Sequence, residues 1–172
     1  METSLEPLAP EHYSLVAQWI SDPRTNRWLY SEWREGEVDE RTIAIVVMNH
    51  KKNRLYLIRH QQAAVGVAAI SQISPVDRHG VIWYLVGEAA ATGRGVASRA
   101  IALLVERAVT ELDLHSLEAS ILEGNLASER VLLKNRFQRV GVLHQAAFIG
   151  GHPVDRALFE WTRHTSDERS HA

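Results

Sequence analysis

Apolar residues Leu15, Val16, Trp19 and Ile20 fall on one helical face in "PEHYSLVAQWI" (residues 10–20), which opens with Pro10 and is stopped by "SDP". A second short helix is expected from Arg24 to Trp33, followed by the charged loop "REGEVDER". In "TIAIVVMNHKK" the β-branched run suits a strand while its place in the order suits a helix, and a helix is the expectation. From Asn53 the period drops to two. "RLYLIRH", "AAVGVAAISQIS" and "GVIWYLV" read as three strands of an antiparallel meander, joined at "QQ" and "PVDRH". After a glycine turn come a helix from Gly95 to Leu112, a strand "SLEASIL" and a helix "NLASERVLLKN". Two last strands, "QRVGVLHQAAFI" and "VDRALFEW", turn at "GGHP". The pattern predicts a mixed α+β sheet domain without repeats over residues 1–164, with a polar flexible tail at 165–172.

In the long helix Ala97, Ala100, Ile101, Leu104, Val105, Ala108 and Leu112 form one apolar face, and Arg99, Glu106, Arg107 and Glu111 lie mostly away from it. The helix therefore packs on the sheet. Its start is unusual, because "TGRGVAS" (92–98) puts two glycines where a helix begins. Glycine adopts positive φ and admits close approach, so such a turn can aim successive amides at an anion. Unpaired N–H groups and the helix dipole reinforce this, and Gly93, Arg94, Gly95, Val96 and Ala97 supply those amides. A pyrophosphate fits the turn, as does a merely tight strand-to-helix connection. G-x-G-x-x-G and the P-loop pattern are both missing, so NAD and ATP are poor candidates.

Composition narrows the classes further. A formal charge of −2 on 172 residues gives no basic field for nucleic acid. No cysteine is available for a disulfide, thiol nucleophile or thiolate metal site, and the nine histidines lack H-E-x-x-H spacing, so no metal is expected. The N-terminus has no signal-peptide pattern, and no apolar run nears the roughly 20 residues of a membrane helix. A soluble, cytoplasmic protein that contacts no membrane is expected.

"TGRGVASRA", followed some thirty residues later by "NLASERVLLKNRF", resembles the GNAT superfamily of acyl-CoA-dependent N-acyltransferases. Thr92, Gly95 and Ala97 stand at the positions of its Q/R-x-x-G-x-G/A signature, with Thr92 departing from it. Asn125, Ser128, Lys134 and Phe137 match the N-x-x-S-x-x-x-L-x-K-x-G-F pattern of the Rim-type branch, which includes ribosomal-protein and small-molecule acetyltransferases; Arg136 replaces its glycine. Either Arg136 takes a left-handed conformation or Asn135 makes the turn. "LEPLAPEHYSLVAQWISDP" is similar to the branch's opening of strand, helix and W-x-x-D-P.

The resemblance implies a GNAT fold, a splayed, mostly antiparallel mixed sheet of about seven strands with about four helices. It implies acetyl-CoA wedged between the strand before the glycine turn and the strand before Asn125. The backbone of "YLVGE" would pair with the pantetheine arm, an amide near Leu85 or Val86 would polarise the thioester carbonyl, and residues 92–98, including Arg94 and Ser98, would hold the phosphates. Asn125, Ser128 and Lys134 complete the implied cofactor set. The acceptor would be a primary amine of a small molecule or a protein N-terminus, attacking directly through a tetrahedral intermediate; the alternatives are a transferase of the same fold with a different acyl donor and a non-catalytic acyl-CoA-binding module. The family's last strands suggest a homodimer.

An alkylamine is protonated at neutral pH, so a base or water chain must accept a proton, and the leaving thiolate needs a hydroxyl. The tyrosine many relatives use is replaced by Leu132, and the resemblance to the Rim-type branch, whose N-x-x-S serine can lie near the sulfur, implies Ser128 as the hydroxyl; a first-turn serine satisfying backbone groups is an equal reading. No glutamate opens the strand before the turn. His79, with Asp77 to orient it, is the nearest base, and a surface-turn histidine is the competing reading. Glu88, Glu118 and Glu123 are alternatives. Trp28, Tyr30 and Trp33 would line the acceptor pocket, while Trp83 reads as core.

Overall fold

The computed structural model describes residues 2–163, apart from the side chain of Glu32. Seven strands form one sheet in the order β1-β2-β3-β4-β5-β7-β6. They are β1 (Thr3–Pro7), β2 (Arg54–His60), β3 (Ala63–Ser74), β4 (His79–Val86), β5 (Ser116–Leu122), β6 (Gln138–Ile149) and β7 (His152–Thr162). Neighbours are antiparallel except β4 and β5. This is the α+β GNAT architecture the sequence implies, and β2-β3-β4 is the expected meander. Six α-helical segments occur among the described residues: α1 (Tyr13–Ser21), α2 (Pro23–Asn26), α3 (Ser31–Arg34), α4 (Glu40–Met48), α5 (Val96–Thr110) and α6 (Leu126–Lys134).

Local chemistry explains most boundaries. Pro10 opens a 3₁₀ turn ahead of α1, and Asp22 caps α2 by accepting from the Arg24 amide at 2.8 Å. The ambiguous "TIAIVVM" is helical because Asp39 caps it, accepting from the Thr42 amide at 2.9 Å, and because only Ile43 is fully buried. The single helix expected over 24–33 is two one-turn helices separated at Tyr30, whose backbone is extended. Gln61 and Gln62 both take positive φ (51° and 71°), the twist a two-residue hairpin requires. The last hairpin turns at Gly150 and Gly151 alone, so β7 begins at His152 rather than Val154.

Two apolar layers sandwich the sheet. On one face α5 packs Ala100, Ile101, Leu104 and Ala108 against Ile58, Ile70, Ile82, Leu117 and Phe159. On the other, α1, α3 and α4 pack Val16, Ile20, Trp33 and Ile43 against Leu55, Leu57, Val67 and Trp83. The tail assigned to 165–172 lies outside the described residues.

Candidate active site

Strands β4 and β5 pair only through His79–Ser116, Gly80–Leu117 and Val81–Glu118, and diverge beyond that. From Ile82 onward one edge of β4 has no neighbouring strand, so alternate backbone groups of that edge face open space. A cavity of about 730 Å3 fills the wedge, lined by both strands, the turn before α5, the first two turns of α6 and the α2–α3 segment.

The glycine turn forms one end. Gly93 and Gly95 have φ of 76° and 77°, and a Cβ at either would touch nothing. Positive φ, then, and not crowding by protein atoms, requires glycine here. Gly95 caps α5 without a side-chain partner, and the first helical hydrogen bond runs from the Arg99 amide to Gly95 O at 3.0 Å. The amides of residues 96–98 are thus uncommitted at the cavity wall, which suits the phosphates of a coenzyme A. Thr92, Gly93, Gly95, Val96, Ala97 and Ser98 line this end together with Leu85 and Val86 of β4. Arg94 and Lys134 of the expected set are exposed and do not line it.

Asn125 caps α6, its Oδ1 accepting from the Ser128 amide at 3.2 Å, and both residues face the cavity. Gly124, at φ 90°, turns the chain into this cap. At the far end of α6, the Phe137 amide donates to Leu132 O at 3.1 Å and the Arg136 amide to Leu133 O at 3.0 Å, a Schellman termination. Arg136 holds the left-handed position at φ 65°, which settles the two readings of that turn. Asn135 instead donates to Ser98 O at 3.1 Å and ties α6 to the first turn of α5.

Trp28, Tyr30 and Trp33 all line the cavity, at the α2–α3 end. Tyr30 spans the wedge, its hydroxyl 2.9 Å from Ser120 Oγ on β5. Trp83, expected as core, is buried and also lines the wedge, its ring centroid 5.4 Å from that of Trp33.

His79 is not brought to the cavity. It lies at the closed foot of the wedge, where the strands still pair, with Nδ1 3.0 Å from Ser116 Oγ. Asp77 does not orient it, because its carboxylate accepts from Ser74 Oγ at 2.6 Å within the β3–β4 turn. Glu88 accepts from Trp19 Nε1 at 3.0 Å, Glu123 pairs with Arg139, and Glu118 sits at the last β4–β5 pair without lining the wedge. Among the described side chains no aspartate, glutamate or histidine lines the cavity.

Several contributors had little or no sequence signal. Tyr84 projects from β4 toward α6, its hydroxyl donating to Ser128 O at 3.4 Å, and burial pushes the phenol up to about 12. A Cβ on Gly87 would overlap the Trp19 ring, so glycine alone lets α1 seat against the end of β4. Ser120 and Arg156 come together only through the β5–β7 pairing, with Arg156 Nη1 donating to Ser120 Oγ at 3.4 Å.

A wedge between two splayed parallel strands, with an amide-rich helix start at one end, defines an acyl-CoA-dependent transferase fold. Residues 3–138 match the sequence profile of the acetyltransferase (GNAT) domain, and the chain belongs to that family of N-acetyltransferases, which use acetyl-CoA. It is 26% identical over 153 residues to a ribosomal-protein-serine acetyltransferase of Escherichia coli, covering 84% of each chain. Among solved structures it resembles a ribosomal alpha-N-protein acetyltransferase in complex with coenzyme A (TM-score 0.80, 20% identity, 93% of each chain). It also resembles the spermidine N-acetyltransferase of Vibrio cholerae in complex with coenzyme A and spermine (TM-score 0.82, 16% identity, 94% of this chain and 96% of that one). No helix among the described residues is long and apolar enough to cross a membrane.

Proposed function

We propose that this chain moves acetyl from acetyl-CoA to the primary amine of a small molecule or a protein N-terminus in the cytoplasm. The observation that carries the reading is the β4–β5 wedge, which opens at one end on the uncommitted amides of α5 and at the other on Trp28, Tyr30 and Trp33.

Acetyl-CoA, when bound, supplies a thioester; the rest of the chemistry belongs to the chain. Thr92, Gly93 and residues 95–98 would hold phosphate oxygens, and a β4 amide at Leu85 or Val86 would donate to the thioester carbonyl oxygen as negative charge builds there. The Ser128 hydroxyl, freed because Asn125 caps the helix in its place, donates to the sulfur that leaves. Since no carboxylate or imidazole among the described side chains lines the wedge, the proton lost by the amine departs through water. Ser128→Ala should lower kcat about tenfold or more while leaving the KM for acetyl-CoA unchanged. The exposed Val140, Leu143 and Phe148 on outer strand β6 suit a homodimer, which sedimentation equilibrium at micromolar concentration tests.

Calorimetric titration with acetyl-CoA, CoA, longer acyl-CoAs, ATP and NAD tests the reading. Binding confined to CoA species, with acetyl-CoA turned over on an amine, is the expected result. Ala97→Trp fills the phosphate seat without touching a positive-φ position and should weaken acetyl-CoA binding at least tenfold with the melting temperature nearly unchanged. Equal binding of ATP, or an unaffected Ala97→Trp variant, overturns the assignment.

A further inference from the structure

Arg156 is the feature that the transfer chemistry leaves unused. It is only 8% exposed, and no described carboxylate lies within ion-pair distance of it. Its guanidinium stacks over the Tyr30 ring, Cζ 4.6 Å from the centroid, and Nη1 reaches Ser120 Oγ. Arg34 on α3 donates from Nη1 to Phe148 O at 3.2 Å, and its buried Nε has no acceptor among the described residues. A buried cation without a counter-ion is costly, so such an arrangement is retained where an anion arrives to complete it.

The hydrogen bonds carry that charge to the wedge. Ser120 Oγ accepts from Arg156, so the Ser120–Tyr30 contact always leaves one hydroxyl proton to donate onward: if Ser120 donates to Tyr30, the Tyr30 proton is free, and the converse also holds. Both hydroxyl-bearing residues line the cavity. An anion accepting that proton gains the field of the guanidinium behind it. The remaining described lining agrees, since its charged residues are Arg24 and Arg130.

We infer that the acceptor is an amine carrying a carboxylate, which Tyr30 and Ser120 bind through their hydroxyls with Arg156 supplying the positive charge. This rests on the acetyltransferase reading and adds the substrate class. Ser120 and Tyr30 are contact residues, and Arg156 is a positioning residue acting through them.

The test is a ladder of ω-amino carboxylates from two to six carbons, each paired with its uncharged amide, with spermidine as the cationic comparison. Both acetylation (kcat/KM) and calorimetric binding are read, the latter with and without CoA. At the best-fitting length the acid should exceed its amide at least tenfold and exceed spermidine. Arg156→Gln should bring the acid-to-amide ratio within about twofold while the acetyl-CoA Kd stays put, and Arg156→Lys should restore part of the ratio. Amides equal to acids at every length, a preference for spermidine, no binding by any acid, or a ratio unmoved by Arg156→Gln would overturn the inference. Failure of acetyl-CoA to bind would instead strike the acetyltransferase reading, because acid and amide are still compared without CoA.

Discussion

Arg136 holds a position that favours glycine, and a β-carbon in the left-handed region costs about 1–2 kcal/mol. Glycine would relieve that strain but lose more chain entropy on folding, so Arg136→Gly is expected to stabilise by about 0.5–1 kcal/mol net, read by urea unfolding. Gly87 is the opposite case. Gly87→Ala drives a methyl into the Trp19 ring and should cost about 1–3 kcal/mol or more, with weakened acetyl-CoA binding because Gly87 also borders the wedge. Tyr84 adds a pH signature. Its folded pKa, raised to about 12 by burial, lies above the unfolded value near 10, so the stability tied to its neutral form is intact below pH 10 and is lost as pH rises toward 12. Burial also raises the Tyr56 phenol, so ultraviolet titration should show a late-ionising signal from both, and Tyr84→Phe should remove its latest part.

At the scale of elements, caps decide where helices start. The Thr42 amide and hydroxyl hold the Asp39 carboxyl below the ordinary carboxylate range, and Arg24 does the same for Asp22. A depressed carboxylate stabilises the fold above its unfolded pKa and loses that contribution as pH falls through the folded one. Stability should therefore be level above about pH 5 and decline below about pH 4, and Asp39→Asn should flatten part of the decline, as thermal melts across pH would show. Asp39 also explains how a β-branched run became α4: propensity favours a strand, but a cap and one buried face outweigh it. Asn125→Ala should cost about 1 kcal/mol and release the Ser128 amide, so the loss in activity should exceed that in stability.

Across the whole molecule the wedge is a gap in the sheet that a ligand can complete. A ligand that binds only the folded state at 100 times its Kd adds about 2.7 kcal/mol, so saturating acetyl-CoA should raise the melting temperature by roughly 5–11 °C. ATP should not. A smaller shift, or one shared by ATP, would mean that the gap is not a coenzyme seat.

The sequence by itself determined the local part of this protein: the helix faces, the three-strand meander, the left-handed glycine turn before α5 and the Asn125 cap. Each of these depends on residues within a few positions of one another, where periodicity, φ preference and capping act. Tertiary structure alone decided that β7 inserts between β5 and β6, that β4 and β5 part after Val81, and that His79 stays at the closed foot while Tyr84 reaches α6. It also decided that Arg156 meets Tyr30 and Ser120, residues 126 and 36 positions away by chain count. Strand order and splay are set by which long-range pairings bury the most surface, and no short window of sequence records that competition.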